Sequence, residues 1–362
     1  MKIRLLSFFL LIIVCYHFGC DQIGTASGNK NNLPAIDTAS LVNTMGSPLI
    51  EELSKKIAKA PNDHLLLAKR ADIYYSKDNY EDAIKDLEKA IGIDSSQIGY
   101  YHLLADAQLD SYQSEQAIKT METAVALNPD RIPTLLKLSE FQMILKQHEA
   151  SFETINEILT KSPKHPEGFY MLGMNFKAIG DTAKAINSFQ TTVEEDSEHI
   201  EAYIQLGVLF DKLKNRVAVK YFDNALRIDS TDIDALFGKA WFHHQRNNFF
   251  EAEQWYEKAS KAHPRNSKVH LNNGILQLEI AQMNANKLAT KKLLKKAFKK
   301  FDLASKVDPS FGMAYYYRGL THEKLKRPKK AITDYRQAAA LMQNANKPNR
   351  ALMALGQKPI TK

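Results

Sequence analysis

Apolar residues recur at steps of three and four along most of the chain from about residue 48 onward. This spacing gathers them on one face of a helix. Short polar turns separate the periodic stretches, as at residues 76–79 and 179–181, and Pro129 and Pro264 mark the ends of two units. No stretch shows sustained alternation of period two. The pattern therefore predicts an all-α chain of short helices without a sheet.

The helical pattern itself recurs eight times from His64, with a period of about 34 residues. Positions 8, 20 and 27 of each unit carry mostly small residues, and position 24 carries a large apolar one. Position 8 holds Ala71, Ala105, Ser139, Gly173, Gly207, Ala240, Gly274 and Gly319. Position 20 holds Ala83, Ala117, Ser151, Ala185, Ala218, Ala252, Ala297 and Ala331. We assign position 27 to Ala90, Ala124, Ile158, Val193, Ala225, Ala259, Ala304 and Ala338. Position 24 holds Leu87, Met121, Ile155, Phe189, Phe222, Tyr256, Phe301 and Tyr335. Such a period indicates a solenoid of stacked helix pairs.

Two units show the fullest motif, with residues Phe169, Leu172, Gly173, Phe176, Ala185 and Phe189, and again Tyr203, Leu206, Gly207, Phe210, Ala218 and Phe222. These residues resemble the tetratricopeptide repeat, whose pattern is W-x2-L-G-x2-Y followed by Ala, Phe, Ala and Pro. The resemblance covers about residues 64–345. It implies a right-handed superhelical solenoid of about eight helix-turn-helix repeats.

Two repeats depart from the regular length. Between Lys214 and Ala218 the fifth repeat is one residue short, which predicts a clipped turn. Between Gly274 and Ala297 the seventh repeat has about eleven extra residues, close to three helical turns. We expect both helices of this repeat to be lengthened near 275–300, so that the pair projects beyond its neighbours.

The N-terminus has the layout of a secretory signal peptide. A basic start precedes the mostly apolar run Leu5–Val14, which is too short to span a bilayer as a mature helix. Gly19-Cys20 resembles the end of a bacterial lipobox, although His17 and Phe18 depart from that motif. The resemblance implies lipidation at Cys20 and a membrane-anchored lipoprotein on the periplasmic or outer-membrane side of a bacterial cell envelope. Ordinary secretion and an uncleaved anchor are the alternatives.

These features divide the chain into five predicted segments. Residues 1–19 are the signal peptide, and 20–47 are the lipidated cysteine with a flexible, small and polar tether. Residues 48–63 form an N-terminal capping helix. The solenoid spans 64–345, and 346–362 form a C-terminal cap or tail.

No motif for catalysis is present in the sequence. It has no G-x-S-x-G, H-E-x-x-H, phosphate loop or C-x-x-C. His243 and His244 form the densest histidine cluster, but no carboxylate or thiol stands at ligand spacing beside them. We therefore expect no enzyme activity, no cofactor and no metal site.

The resemblance places partner binding on the first helix of each repeat. Tetratricopeptide arrays bind extended peptides or helices through positions 2, 5, 9, 12 and 13, on the concave side of the solenoid. Transferred to this sequence, a predicted groove is lined by Tyr75, Met143, Tyr170, Met174, Phe237, Trp241, His244 and Tyr316, with Leu271, Ile275 and Leu320 alongside. Aromatic and Met side chains are suited to anchoring a protein ligand. Packing between helices is the alternative role for each of them.

Residues 287–300 contain seven lysines and no acidic residue. The predicted basic patch consists of Lys291, Lys292, Lys295, Lys296, Lys299 and Lys300. Its functional interpretation is contact with anionic lipid or an acidic partner. The alternative is a solvated face of a long helix, which is what charge runs on helices usually are.

Together these patterns predict a lipid-anchored, non-catalytic scaffold or adaptor that binds partner proteins or peptides in its concave groove. The membrane is a partner through the N-terminal lipid, and nucleic acid is not expected. The alternative function is binding to a membrane surface or polyanion through the lysine-rich helix. The oligomeric state and the identity of the partner do not follow from the sequence.

Overall fold

The computed structural model describes residues 48–360. Within this range the chain forms eighteen α-helices and no strand, so the prediction of an all-α repeat fold is confirmed. The predicted signal peptide, the lipid site at Cys20 and the tether up to residue 47 lie outside the described residues.

Each repeat contributes two consecutive helices, and one further helix stands at each end. The helices are α1 Pro48–Lys59, α2 His64–Ser76, α3 Tyr80–Ile93, α4 Ile98–Asp110, α5 Ser114–Leu127, α6 Ile132–Ile144, α7 His148–Lys161, α8 Pro166–Ala178, α9 Thr182–Glu195, α10 Ile200–Lys212, α11 Ala218–Ile228, α12 Ile233–Gln245, α13 Phe249–Ala262, α14 Ser267–Met283, α15 Lys287–Val307, α16 Gly312–Lys324, α17 Pro328–Leu341 and α18 Asn346–Ala354.

The described part of the chain divides into two compact units, with the boundary between Ala150 and Ser151. In each unit the two helices of a repeat pack together, and the second helix packs on the first helix of the next repeat, as α2, α3 and α4 do. Successive first helices also contact each other: α2 contacts α4, α10 contacts α12, and α14 contacts α16. The first helices therefore form a layer of their own within each unit.

Polar side chains fix where several helices begin. The Asp63 carboxylate accepts hydrogen bonds from the backbone N–H groups of Leu65 and Leu66, at 3.0 and 3.1 Å. Asp181 caps α9 in the same way through the N–H of Lys184, at 3.1 Å. Such caps satisfy amides that have no partner inside the helix and contribute about 1 kcal/mol each.

The core of each repeat is built where position 24 of the second helix meets position 8 of the first. Phe189 is fully buried, and a Cβ atom added to Gly173 would lie only 2.6 Å from its Cε1. Gly207 and Phe222 show the same relation at 2.7 Å, and Gly274 and Phe301 at 2.5 Å. The ring occupies the space that a side chain at position 8 would need, which explains the small residues at that position.

The assignment of Val193 to position 27 is wrong by one residue. Thr192 is fully buried, whereas Val193 is only partly buried. Thr192 can occupy this core position because its hydroxyl donates a hydrogen bond to the Ser188 carbonyl, at 3.0 Å.

The prediction of a clipped turn in the fifth repeat is also wrong. The connection between α10 and α11 has five residues, 213–217, and the missing length is taken from α11, which has only 11 residues. The Asn215 N–H still donates to the Phe210 carbonyl at 2.9 Å, as Asp181 does to Phe176. The hydrogen bond that closes the turn is therefore retained, and α11 begins later in its repeat than α9 does.

The seventh repeat has much longer helices than its neighbours. Helix α14 has 17 residues and α15 has 21, against 13 and 14 in α12 and α13. The apolar seam between the long helices includes Ala281 and Leu294, which are both buried.

No helix in the described part of the chain combines the length and hydropathy needed to cross a membrane.

Replacing Gly173 with Leu should lower the free energy of unfolding by about 1 to 3 kcal/mol, because the new side chain would collide with the Phe189 ring. Chemical denaturation of the purified protein measures this change. Gly92→Leu is the matched control, since Gly92 is an exposed helical glycine with open space around its Cα. Equal stability of the two variants would contradict the packing of Phe189 against Gly173.

Candidate functional site

Position 9 of the first helices is acidic in the first unit and apolar in the second. In the second unit it is apolar in five consecutive repeats, a set that we call the apolar row: Met174, Val208, Trp241, Ile275 and Leu320. Each member is at least partly accessible, and Val208 is 41% exposed. The equivalent residues of the first unit are Asp72, Asp106 and Glu140. The second unit alone therefore presents apolar side chains at this position.

Val208 is the member that the sequence prediction missed. Its position in the repeat is the same as that of Met174 and Trp241, so the signal was present in the alignment of the repeats. A single valine has no aromatic or thioether character, and only its exposure distinguishes it from a packing residue.

The position 5 side chains next to this row rest on the core. The Tyr170 ring lies 5.6 Å from the Phe189 ring, Phe237 lies 5.9 Å from Tyr256, and Tyr316 lies 5.8 Å from Tyr335. All three position 5 side chains are only partly buried. Each therefore has one face held by a buried position 24 residue and another face accessible to a ligand.

His244 lies beneath this surface instead of lining it. The side chain is buried, with Nε2 2.8 Å from Glu279 Oε2 and Nδ1 3.3 Å from the Tyr256 hydroxyl. The Trp241 ring packs edge-on against it at 5.6 Å. His244 thus links α12, α13 and α14 and supports Trp241 from below.

The two predicted groove residues of the first unit have polar or buried surroundings. The Tyr75 hydroxyl donates a hydrogen bond to Asp110 Oδ2 at 2.7 Å, and burial together with this bond raises the pKa of Tyr75. Met143 is buried. Asp106 is paired with Lys137 at 2.7 Å. Tyr75 and Met143 consequently do not extend the apolar row, which belongs to the second unit.

The predicted basic patch separates into two groups. Lys296 pairs with Glu253 at 3.2 Å and Lys300 pairs with Glu257 at 2.6 Å, so these two lysines tie α15 to α13. Burial works against ionisation of Glu257, but the hydrogen bond and positive charge of Lys300, together with the hydrogen bond from Asn273, outweigh it and lower the pKa of this carboxyl. The side chains of the other four, Lys291, Lys292, Lys295 and Lys299, are exposed on α15.

A buried histidine between two carboxylates stands at the start of α10. His199 Nε2 lies 3.3 Å from Glu167 Oε1, and Nδ1 lies 3.3 Å from Glu201 Oε2. Burial lowers the pKa of His199, but the nearby carboxylates of Glu167 and Glu201 together outweigh it and raise the pKa to about 9. The imidazolium therefore holds α8 and α10 together near neutral pH, with the Tyr170 ring 4.8 Å away.

Among residues 48–360, no group of three or more His, Cys, Asp or Glu side chains is arranged to hold a metal ion.

Models of the tetratricopeptide repeat match residues 66–97, 98–131, 167–199, 208–267 and 312–345, which together make up more than half of the chain. The chain belongs to the tetratricopeptide repeat family. No curated protein matches it. The tetratricopeptide repeats indicate a protein-interaction scaffold, and proteins of this fold are typically non-catalytic.

Solved structures similar to this tetratricopeptide chain include one from the APC/C hetero-tetramer Cut9-Hcn1. It is 16% identical, has a TM-score of 0.51, and the match covers 84% of this chain and 58% of that one. The chain thus spans less than two thirds of that relative. A tetratricopeptide repeat protein from Parabacteroides merdae is 17% identical with a TM-score of 0.46, covering 85% and 99% of the two chains. YrrB, described as a TPR protein with an unusual peptide-binding site, is 21% identical with a TM-score of 0.37, covering 52% and 97%.

The His199 cluster generates a pH prediction. The folded-state pKa of His199 is raised above the usual value of about 6.5. The contribution of His199 to the free energy of unfolding should therefore be complete below pH 6.5 and be lost as the pH rises through about 9. We expect this contribution to be about 1 to 3 kcal/mol, since the carboxylates of Glu167 and Glu201 are about half exposed and partly screened by solvent.

Denaturation curves measured across this pH range should show the loss in the wild type and not in His199→Gln. The control is His165→Gln, because His165 holds the equivalent position before α8, where its Nδ1 accepts a hydrogen bond from the Gly168 N–H. An unchanged slope of stability against pH in His199→Gln would contradict the assignment.

Proposed function

We propose that the second unit binds a protein segment along the apolar row and its neighbouring aromatic residues. The observation that carries this proposal is the row itself, which is apolar and accessible in five consecutive repeats. Partly accessible apolar side chains that recur in register along stacked helices suit the anchors of an extended peptide or an amphipathic helix.

The side chains packed beneath the apolar row and its neighbouring aromatic residues favour a role in binding. Trp241 rests on the buried His244, and Tyr170 rests on Phe189. Side chains that are already fixed lose little conformational freedom when a ligand covers them. Trp and Tyr are also the residue types most often found as hot spots.

The first unit is less suited to an apolar ligand, because its position 9 residues are Asp72, Asp106 and Glu140. Covering charged carboxylates with apolar groups carries a desolvation cost. We therefore assign the binding of apolar side chains to the second unit alone.

We further propose that the scaffold is a lipoprotein of a bacterial cell envelope, anchored through Cys20. The apolar run Leu5–Val14 followed by Gly19-Cys20 supports this proposal. An anchor at that cysteine would hold a non-catalytic binding surface close to the membrane.

The groove is tested by the double variant Tyr170→Ala, Trp241→Ala. For a partner recovered from solubilised envelopes and then purified, the loss of binding free energy should be about 2 kcal/mol or more per true anchor. Titration calorimetry measures this, together with a thermal unfolding curve that verifies the fold.

Trp255→Ala is the control for the groove experiment. Trp255 lies on the second helix α13, between the ammonium groups of Lys239 and Lys258, each 3.9 Å from its ring. Its loss should leave partner affinity unchanged. If the control weakens binding as much as the double variant does, the ligand does not follow the apolar row.

The anchor is tested separately by Cys20→Ser in the producing cell. This change should block lipid attachment and leave the precursor unprocessed, as seen by mass spectrometry of the N-terminus. Cys15→Ser is the matched control and should be processed normally. A wild-type N-terminus that is unmodified and begins downstream of residue 20 would contradict lipidation.

A further inference from the structure

The extra length of α14 and α15 lies entirely at the turn that joins them. Helix α14 runs four residues beyond the length of α12, and α15 begins seven residues earlier than α13 does relative to position 20. The pairs Glu253–Lys296 and Glu257–Lys300 put α13 and α15 in one register, in which Phe249 corresponds to Lys292. Residues 287–291 therefore extend past the start of α13, and the hairpin projects by about 6 to 10 Å.

Hydrogen bonds hold the end of this hairpin in one conformation. The Asn286 side chain accepts from the N–H groups of Leu288 and Ala289, at 2.9 and 3.1 Å. The Asn284 side chain accepts from the Asn286 N–H at 2.9 Å, and the Thr290 hydroxyl donates to the Asn284 carbonyl at 3.0 Å. These hydrogen bonds fix the backbone of the turn.

Two large apolar side chains are exposed at this end. Met283 is 64% exposed and Leu288 is 79% exposed, although Ala281 and Leu294 just behind them are buried in the seam. The hairpin therefore does not use Met283 or Leu288 for its own packing.

Lysines surround the exposed apolar pair. Lys287, Lys291, Lys292 and Lys295 are all exposed, and residues 280–301 contain no acidic residue. We call Met283, Leu288 and these four lysines the hairpin tip. The two lysines that pair with α13, Lys296 and Lys300, lie farther from the turn.

We propose that the hairpin tip docks on an anionic lipid surface. Apolar side chains at a projecting turn can enter the boundary between head groups and acyl chains, while flanking lysines remain at the level of the lipid phosphates. Each such lysine strengthens binding to an anionic surface about five-fold. A protein partner would instead favour apolar residues set in a recessed, water-excluding site. This proposal goes beyond the groove, because the tip lies at a turn and the apolar row lies on the first helices.

The first experiment measures flotation of the full chain with vesicles of phosphatidylcholine alone and with vesicles of equal parts phosphatidylcholine and phosphatidylglycerol. The double variant Lys291→Glu, Lys295→Glu should weaken the binding that depends on phosphatidylglycerol by about 25-fold or more. The control is Lys55→Glu, Lys59→Glu, an exposed pair on α1 with the same spacing and the same change in net charge. It should bind as the wild type does. Equal losses of binding to the mixed vesicles in both variants would overturn the proposal.

The second experiment reports insertion at the tip itself, whatever the N-terminal segment does. Leu288→Trp places an indole at the turn, and its fluorescence should shift to the blue and be quenched by brominated lipid when anionic vesicles are added. Tyr112→Trp is the control, because Tyr112 is 94% exposed at the turn of another repeat that has no lysine cluster. No shift in Leu288→Trp, or equal shifts in both variants, means that the tip does not enter the lipid surface. Both variants keep the native Trp241 and Trp255, so their shifts are measured relative to the wild type. Neither experiment alters Trp241 or Tyr170, so failure of this proposal would leave the groove untouched.

Discussion

The contact between position 24 and position 8 is the constraint on which the rest of the structure depends. A buried ring such as Phe189 or Phe222 fills the gap above a glycine, so the two helices of the repeat approach closely. Dense packing tolerates neither a void nor an added side chain at this point. Because this contact recurs about every 34 residues, the first helices of successive repeats are aligned. A short motif repeated along the chain thereby specifies how its helices stack.

This constraint leaves the neighbouring positions of the first helix free to vary. Position 9 is partly buried or exposed in the last five repeats, and it is acidic in the first three repeats and apolar in the last five. The same scaffold therefore carries two surfaces of different chemistry. Polar groups also support this surface, because the buried His244 lies within hydrogen-bonding distance of the buried Tyr256 hydroxyl and of the partly exposed Glu279 carboxylate.

Charge on α15 likewise serves two purposes. Lys296 and Lys300 are held by glutamates of α13, and a paired, partly buried lysine stabilises the stack. Lys287 and Lys291 lie beyond the start of α13, and Lys292, Lys295 and Lys299 are also exposed. The same lysine-rich helix thus contributes two ion pairs to the fold and an open basic surface that accompanies Met283 and Leu288 near the turn.

The sequence by itself determined the helices, their pairing and the family, because small and large residues at fixed positions record a packing rule that acts within one repeat. It also indicated extra length between Gly274 and Ala297, since inserted residues that keep the helical phase must lengthen helices. Tertiary structure decided which side chains remain accessible. Met143 and His244 are buried while Val208, Met283 and Leu288 are exposed, and the shortened repeat lost its length from α11 instead of from the turn. The physical reason is that exposure and ion pairing depend on neighbouring repeats, which contribute atoms from 16 to 43 positions away, whereas helical periodicity depends only on residues three and four positions apart.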